Sequence, residues 1–170
     1  MKITTDELRN GTLIYRNQQI MQILEFQALN ETVHLKVMNF STHKKQELDI
    51  NAKETIEKIT PDISKAELTS IEEDTYQFFD LDTYDMFEVD KSVAGDSMWM
   101  IEAQTCTLYS YHGEIYHVEA ERYVRAKVVN IESGLMPIAT LENGAKVNVD
   151  RYTRAGDTIL VDTITLRQHD

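Results

Sequence analysis

The sequence predicts an all-β protein made of three consecutive small β-barrel domains. Two observations support this prediction: short stretches of alternating apolar and polar residues recur along all 170 residues, and turn-forming residues separate them at short intervals. The 6 glycines and 2 prolines are so few that each one marks a turn or a boundary. We place the domains at residues 1–61, 62–128 and 129–170, with linkers near Pro61 and across residues 128–134.

The first domain is predicted to be a small SH3-like, or KOW-like, barrel. Five short strands joined by tight turns are expected within about 60 residues, a density typical of such a barrel. Cap-forming residues at 5–8, followed by Gly11, predict a short N-terminal turn. A helical turn is predicted over residues 51–58, and Pro61 limits its length.

The two remaining domains are predicted to be an OB barrel and a truncated OB-like barrel. The OB prediction depends on the elements of residues 62–128, which include a hairpin around His112-Gly113 and a short helix over residues 97–102. The third domain contains Asn143-Gly144, the strongest short-range hairpin signal in the chain. Because so short a domain buries little apolar surface, we expect it to pack on the middle domain.

The chain is acidic, and its charge is concentrated in the middle domain. There are 17 Lys and Arg against 29 Asp and Glu, a formal net charge of -12. Residues 62–128 hold -10 of this charge, whereas residues 1–61 are neutral. Phosphate backbones avoid such a segment, so nucleic-acid contacts are expected in the first domain or at a few residues elsewhere. The acidic stretch is either a solvated surface or a body that sits among basic protein tails or imitates a nucleic acid.

No motif in the sequence supplies a catalytic or metal-binding constellation. Glycine-rich phosphate loops and the GxSxG, HExxH and CxxC patterns are all missing. The single cysteine, Cys106, alternates with Leu108 on a predicted strand, which favours a buried thiol over a nucleophile. We therefore expect no enzyme activity, catalytic residue, metal or cofactor. Charged N-terminal residues and the lack of a ~20-residue apolar run predict a cytoplasmic protein without a membrane span. We also expect a monomer that binds neither membrane nor DNA.

Motifs in all three domains match one known family in order and spacing. Residues 33–39 resemble a strand with the pattern A-R-V-K-L-R-N, and residues 95–97 resemble a G-D-N loop. Residues 138–145 are close to P-A-T-L-x-T-G-A, and residues 156–163 are close to G-E-x-I-x-V-D-T. Taken together, these motifs resemble bacterial elongation factor P over the whole chain.

The resemblance implies a translation factor that binds the ribosome and P-site tRNA between the P and E sites and relieves stalling at consecutive prolines. In that family the first-domain tip approaches the CCA end of the tRNA; the matching residues are Gln27, Ala28, Leu29, Asn30 and Glu31. The family's second-domain loop approaches mRNA in the E site; the matching residues are Gly95, Asp96 and Ser97. The first-domain basic residues that we expect to contact RNA are Lys36, Lys44 and Lys45.

The sequence departs from the family at these contact elements. The tip is shorter than the family's Pro-Gly-Lys-Gly loop and lacks glycine, and no basic residue lies between Arg16 and Lys36. Ser97 replaces the asparagine of G-D-N, and the loop after Gly134 shrinks to Leu-Met-Pro. We therefore expect a factor without a modified tip residue. The alternative is a divergent paralogue that acts as a regulatory or protein-binding acidic scaffold without peptide-bond activity.

A more generic interpretation is an OB module for single-stranded RNA. Such a module needs a basic groove with aromatic side chains on which bases stack. The chain offers four tyrosines for this role: Tyr109, Tyr111, Tyr116 and Tyr123. The net charge of -10 argues against this interpretation, and alternation favours a role for these tyrosines in the barrel.

Overall fold

The computed structural model describes residues 1–95 and 97–169, and nearly all of its regular structure is β-strand. The helical segments among these residues are two short 3-10 turns, Thr5–Glu7 and Lys91–Ala94. The all-β prediction is therefore confirmed. Within the described part of the chain, no helix is long and apolar enough to cross a membrane.

The first sheet has six antiparallel strands. They are β1 (Lys2–Thr4), β2 (Leu13–Arg16), β3 (Gln19–Leu29), β4 (Thr32–Asn39), β5 (Lys44–Asn51) and β6 (Thr55–Lys58). Their order in the sheet is β1-β6-β2-β3-β4-β5. Apolar side chains such as Ile14, Ile23 and Leu35 are wholly buried on its inner face. The helical turn predicted at 51–58 is wrong, because β-branched Thr55 and Ile56 favour a strand, and β6 pairs with both β1 and β2.

One polar side chain is buried in this sheet with every hydrogen-bonding position used. Asn39 is 0% exposed, and its Nδ2 donates to Gln19 Oε1 and to Gln46 Oε1, both at 3.0 Å. Its Oδ1 accepts from the N–H of Ser41 at 2.9 Å and of Thr42 at 3.2 Å. Because a buried amide is costly unless it is satisfied, this network fixes the connection between β4 and β5.

The second sheet has five strands. They are β7 (Asp62–Ile71), β8 (Thr75–Asp80), β9 (Met86–Asp90), β10 (Thr105–Tyr111) and β11 (Glu114–Ala120), in the order β11-β10-β7-β8-β9. The hairpin predicted around His112-Gly113 is confirmed, and both residues have a positive φ. Cys106 is buried, as predicted, and burial raises the pKa of its thiol to about 11.

The helix predicted over residues 97–102 is wrong. Trp99 and Ile101 lie in a segment without regular secondary structure, and both pack, partly buried, against the core of the third sheet. Asn143 Nδ2 donates to the carbonyl oxygen of Met98 at 2.8 Å, which holds the segment in place. The apolar run thus serves as packing surface for a neighbouring barrel, and this tertiary demand overrides local helix propensity.

The third sheet closes into a barrel. Its strands are β12 (Tyr123–Glu132), β13 (Ile138–Leu141), β14 (Lys146–Asn148), β15 (Thr158–Asp162) and β16 (Arg167–Gln168), in the order β12-β13-β14-β16-β15. The Asn143-Gly144 turn joins β13 to β14 as predicted, with Gly144 at a φ of +86°. Arg122 donates from Nε and Nη2 to the two carboxylate oxygens of Asp162, at 3.1 and 2.8 Å. This pair ties the start of β12 to the end of β15.

Contacts between Cα atoms divide the described chain into two compact units. One is Met1–Ile63 with Tyr109–His117, and the other is Ser64–Leu108 with the described residues from Val118 onward. Strand β12 runs across residue 128, where the sequence placed a domain boundary. The division into three domains remains a prediction.

Candidate functional site

The tip of the β3–β4 hairpin is a tight turn of two residues. The strands stay paired up to Leu29 opposite Thr32, so Gln27, Ala28 and Leu29 belong to β3 rather than to a loop. Asn30 has a φ of +56°, a left-handed conformation that asparagine adopts more readily than most residues. The turn therefore forms without glycine.

Strand β5 accompanies this hairpin to its end. Asn51 lies opposite Thr32, and the N–H of Ala52 donates to the carbonyl oxygen of Glu31 at 2.8 Å. Thr5 Oγ1 donates in turn to the carbonyl oxygen of Ala52 at 2.8 Å. Because Ala52 holds its backbone and is itself held by the N-terminal turn, the tip ends with the sheet and does not extend as a free loop.

The surface of the tip combines apolar side chains and neutral amides with negative charge. Residues 25–31 are all exposed, with Phe26 at 40% and Leu29 at 50%. Glu31 is the charged residue of the turn, and the hairpin end from residue 26 to residue 32 has no cation. The tip can offer apolar contact and neutral amide groups, but no positive charge of its own.

Lys53 follows directly after the residue that bonds the tip from another part of the chain, and sequence analysis missed it. It follows Ala52, the residue bonded to Glu31, in the turn between β5 and β6. Its N–H donates to Asn51 Oδ1 at 2.8 Å, and its side chain is exposed and in no ion pair with another described residue. The fold therefore places Lys53 one residue along the chain from a backbone contact of the tip, whose own residues 26–32 include no cation.

Below the tip, the outward face of the sheet carries a compensated network of charges. Lys36 Nζ lies 3.5 Å from Glu25 Oε2 and 4.0 Å from Glu47 Oε1. His34 Nδ1 and Asp49 Oδ1 are 2.6 Å apart, and this hydrogen bond raises the pKa of His34 above its ordinary value of 6.5. Since two carboxylates neighbour its ammonium, Lys36 presents little net positive charge to a ligand.

The other two predicted RNA contacts, Lys44 and Lys45, lie at the far end of β4 and β5. Lys44 pairs with Asn39 and Lys45 pairs with Met38, at the end of β4 opposite to Thr32, where the tip begins. Seven strand residues separate the two ends, about 23 Å at ~3.3 Å per residue. Both lysines are exposed, and neither forms an ion pair within the residues described here. They are therefore the uncompensated members of the predicted basic set.

The tyrosines that the sequence offered for base stacking are largely occupied by other rings. Tyr111 packs on Tyr15 with ring centroids 5.8 Å apart, and Tyr116 packs on Phe40 at 5.5 Å. Tyr109 lies 6.5 Å from Tyr116. These three rings contribute to the packing of the first compact unit, which speaks against an open stacking platform.

The predicted mRNA loop belongs to the second compact unit. Asp90 Oδ1 accepts from the N–H of Ser92 at 2.9 Å and caps the turn Lys91–Ala94. Gly95 ends that turn with φ +59° and ψ -137°, a conformation that essentially requires glycine. Ser97 is exposed, and its Oγ accepts from the N–H of Trp99 at 3.3 Å. Asp96 lies outside the described residues.

Known proteins resemble the chain over nearly its full length. It is 30% identical over 179 residues to elongation factor P of Chloroflexus aurantiacus, covering 95% of this chain and 94% of that one. It is 28% identical over 177 residues to elongation factor P of Streptomyces coelicolor, with the same coverage. No protein-family model matches the chain.

A solved structure shares the fold. Translation initiation factor 5A from Methanococcus jannaschii superposes with a TM-score of 0.56 at 13% identity, covering 71% of this chain and 92% of that one. The succession of β sheets and the full-length relatives define a translation elongation factor. The chain belongs to the elongation factor P family, as its motifs predicted.

Proposed function

We propose that this protein binds the ribosome and its P-site tRNA between the P and E sites and assists peptide-bond formation at consecutive prolines. Family membership carries the proposal, because the likeness to elongation factor P covers 95% of the chain rather than one module. In this role the protein acts in the cytoplasm, as a monomer with domains at 1–61, 62–128 and 129–170. It does not bind DNA.

In this proposal the tip faces the CCA end of the tRNA without a modified residue. Gln27 and Asn30 present neutral amides that donate and accept hydrogen bonds, and Leu29 presents an apolar surface. Glu31 repels nearby phosphates, and Lys53 offsets that repulsion. The tip works by holding a reactant in position, which lowers the entropic part of the barrier and needs no catalytic residue, cofactor or metal.

The remaining RNA contacts are proposed at two places. Lys44 and Lys45 bind phosphates, and Lys36 contributes less because Glu25 and Glu47 neighbour its ammonium. The segment Gly95-Asp96-Ser97 approaches mRNA in the E site, with the glycine conformation setting its turn. These contacts are few, as expected for a chain with a net charge of -12.

Co-sedimentation with ribosomes at low and moderate salt tests this proposal. We expect the protein to pellet with ribosomes at low salt and to dissociate as salt rises, because phosphate contacts release counterions. A matched control is the same protein with Lys44 and Lys45 replaced by glutamate, which should pellet less at every salt concentration. If the protein stays in the supernatant at low salt, the ribosomal role is wrong.

The alternative function is that of a regulatory or protein-binding acidic scaffold that does not assist peptide-bond formation. The observation in its favour is the tip, whose residues 26–32 include no cation and whose backbone is held at the sheet end by Ala52. Binding to ribosomes without relief of proline stalling would mark such a competitor or regulator. The two functions therefore differ in the translation assay and not in the binding assay.

A further inference from the structure

One face of the second sheet brings apolar and acidic side chains together. Phe79 of β8 lies opposite Glu67 of β7 on one side and opposite Met86 of β9 on the other. Residues directly opposite one another in antiparallel strands share a face of the sheet, and alternation along β9 adds Glu88 to it. Tyr84 also joins this face, because its ring centroid lies 6.0 Å from that of Phe79. We call these five residues the acidic aromatic face.

Two of the three apolar members of this face are largely exposed. Tyr84 is 73% exposed and Met86 is 60% exposed, whereas Phe79 is half-buried. Tyr84 has a φ of +63°, which is uncommon for a bulky residue, and its N–H donates to the carbonyl oxygen of Asp80 at 2.9 Å. The N–H of Asp80 donates to the carbonyl oxygen of Asp85, also at 2.9 Å. The turn therefore displays a large ring in a strained backbone conformation, and such conformations cluster at binding sites.

The surroundings of the face are negatively charged. Residues 66–90 contain nine Asp and Glu and no Lys or Arg. The cations that bound this segment are Lys65 and Lys91, and both are occupied elsewhere. Lys65 Nζ lies 2.8 Å from Glu121 Oε1. Lys91 Nζ lies 5.7 Å from the ring centroid of Tyr76, which is on the opposite, buried side of the sheet.

This negative charge argues against other classes of ligand. The phosphates of a nucleic acid would be repelled by the face. Two copies of this chain that met through the same face would bring like charges together. Among the described residues, no group of three His, Cys, Asp or Glu side chains could hold a metal ion. A cationic protein segment therefore suits the face best.

We infer that the acidic aromatic face is a docking site for an arginine-rich segment of a partner protein. Guanidinium planes stack on the two rings of the face, and their N–H groups donate to the carboxylates of Glu67 and Glu88. Gln77 Nε2 donates to Glu88 Oε2 at 2.6 Å, which holds that carboxylate in place. The methylene groups of arginine pack on Met86. The inference stands apart from the proposed function, because none of these residues belongs to the tip or to the proposed RNA contacts.

The test titrates the full-length, isotope-labelled protein with a synthetic peptide in which arginine alternates with glycine. Amide resonances of the acidic aromatic face and of residues 80–85 should shift saturably. Tyr84→Asn with Met86→Thr should weaken binding about tenfold, because it removes a ring and an apolar contact. Asparagine accepts a positive φ and threonine suits a strand, so this variant keeps the turn. The matched control, Tyr152→Asn with Val129→Thr, changes an exposed tyrosine and an exposed apolar residue elsewhere and should leave affinity unchanged.

A second pair of variants separates this site from general attraction to an acidic chain. Glu67→Gln with Glu88→Gln should weaken binding about fivefold, because it removes the two carboxylates of the face. Glu114→Gln with Glu132→Gln removes the same charge from exposed positions elsewhere, and it should weaken binding by less than about twofold. Equal losses in the two variants would overturn the inference, since the attraction would then be general.

Two further probes make the outcomes decisive. A peptide of the same charge with lysine in place of arginine should bind at least about threefold more weakly, because an ammonium group cannot bind a carboxylate through two parallel hydrogen bonds or stack as a plane on a ring. Oligouridylate of about ten nucleotides should not shift these resonances. The inference is overturned if the arginine peptide does not shift them, if the lysine peptide binds equally tightly, or if oligouridylate shifts them. It is also overturned if dilution alone shifts them, since the surface would then join copies of this chain.

Discussion

Alanine at both Lys44 and Lys45 should weaken ribosome binding and flatten its dependence on salt. These lysines are exposed, and neither forms an ion pair among the residues that the structure describes, so their full charge is available to phosphates. Lys36 is the contrasting case, because Glu25 and Glu47 lie 3.5 and 4.0 Å from its ammonium. The effect should therefore come from Lys44 and Lys45 far more than from Lys36.

The size of the effect follows from counterion release. Each phosphate contact contributes about 0.7 to about 0.9 to the slope of log affinity against log salt concentration. Two lost contacts lower the slope by about 1.4 to about 1.8. Between about 50 and about 200 mM salt, the native protein should therefore lose about 7- to 12-fold more affinity than the double variant.

The assay is a co-sedimentation titration at several salt concentrations, carried out with the native protein, the double variant and Lys36→Ala. We expect the slope of log affinity against log salt concentration to be steepest for the native protein, nearly as steep for Lys36→Ala, and shallowest for the double variant. Equal slopes for native protein and double variant would show that the proposed RNA face is wrong. A larger change in Lys36→Ala would refute the argument from ion pairing.

Three further predictions concern the tip and the fold. Lys53→Ala should reduce relief of proline stalling while Lys53→Arg preserves it, measured as the yield of a proline-run reporter. Asn39→Ala should lower the free energy of unfolding by about 2–3 kcal/mol in a urea titration, because it removes the four hydrogen bonds of a buried amide. Arg122 holds the pKa of Asp162 well below its ordinary value of 3.8. The pair therefore contributes its full stability to the folded protein above pH 3.8, and this contribution is lost as the pH falls through the lower pKa that Asp162 has in the folded state. Asp162→Asn should abolish this pH dependence of the free energy of unfolding.

Each of these predictions has a control and a contrary result. If Lys53→Ala relieves proline stalling as well as the native protein does, Lys53 has no role in the function of the tip. Asn130→Ala, an exposed asparagine on β12, should change the free energy of unfolding by less than about 0.5 kcal/mol. An Asn39 variant as stable as the native protein would contradict the hydrogen-bond argument. An acid-unfolding curve of Asp162→Asn that parallels the native curve would contradict the linkage argument.

Local chemistry made much of the fold predictable. Asn143-Gly144 and His112-Gly113 specify tight turns, so both hairpins followed from the sequence. The tip was placed correctly as a turn that includes Asn30, though it is confined to two residues. The helix at 97–102 was mispredicted because the apolar run around Trp99 suits a helix as well as an irregular segment, and packing against the third barrel decides between them.

The candidate site was less predictable because it depends on contacts between distant residues. Lys53 is placed near the tip by the hydrogen bond between its neighbour Ala52 and Glu31, and no local sequence pattern predicts this bond. The contact of His34 with Asp49 depends on the register of β4 against β5. Period-two alternation does put His34 and Lys36 on one face, and an antiparallel pairing would have brought Glu47 and Asp49 to that face as well.

Translation of a consecutive-proline reporter in a purified system, with and without this protein, tests the proposed activity itself. We expect the unmodified protein to restore full-length product toward the yield of a matched reporter that lacks the proline run. This gain should disappear at salt concentrations that release the protein from ribosomes. Ribosome binding at low salt with no gain in full-length product would contradict the claim that this neutral tip assists peptide-bond formation.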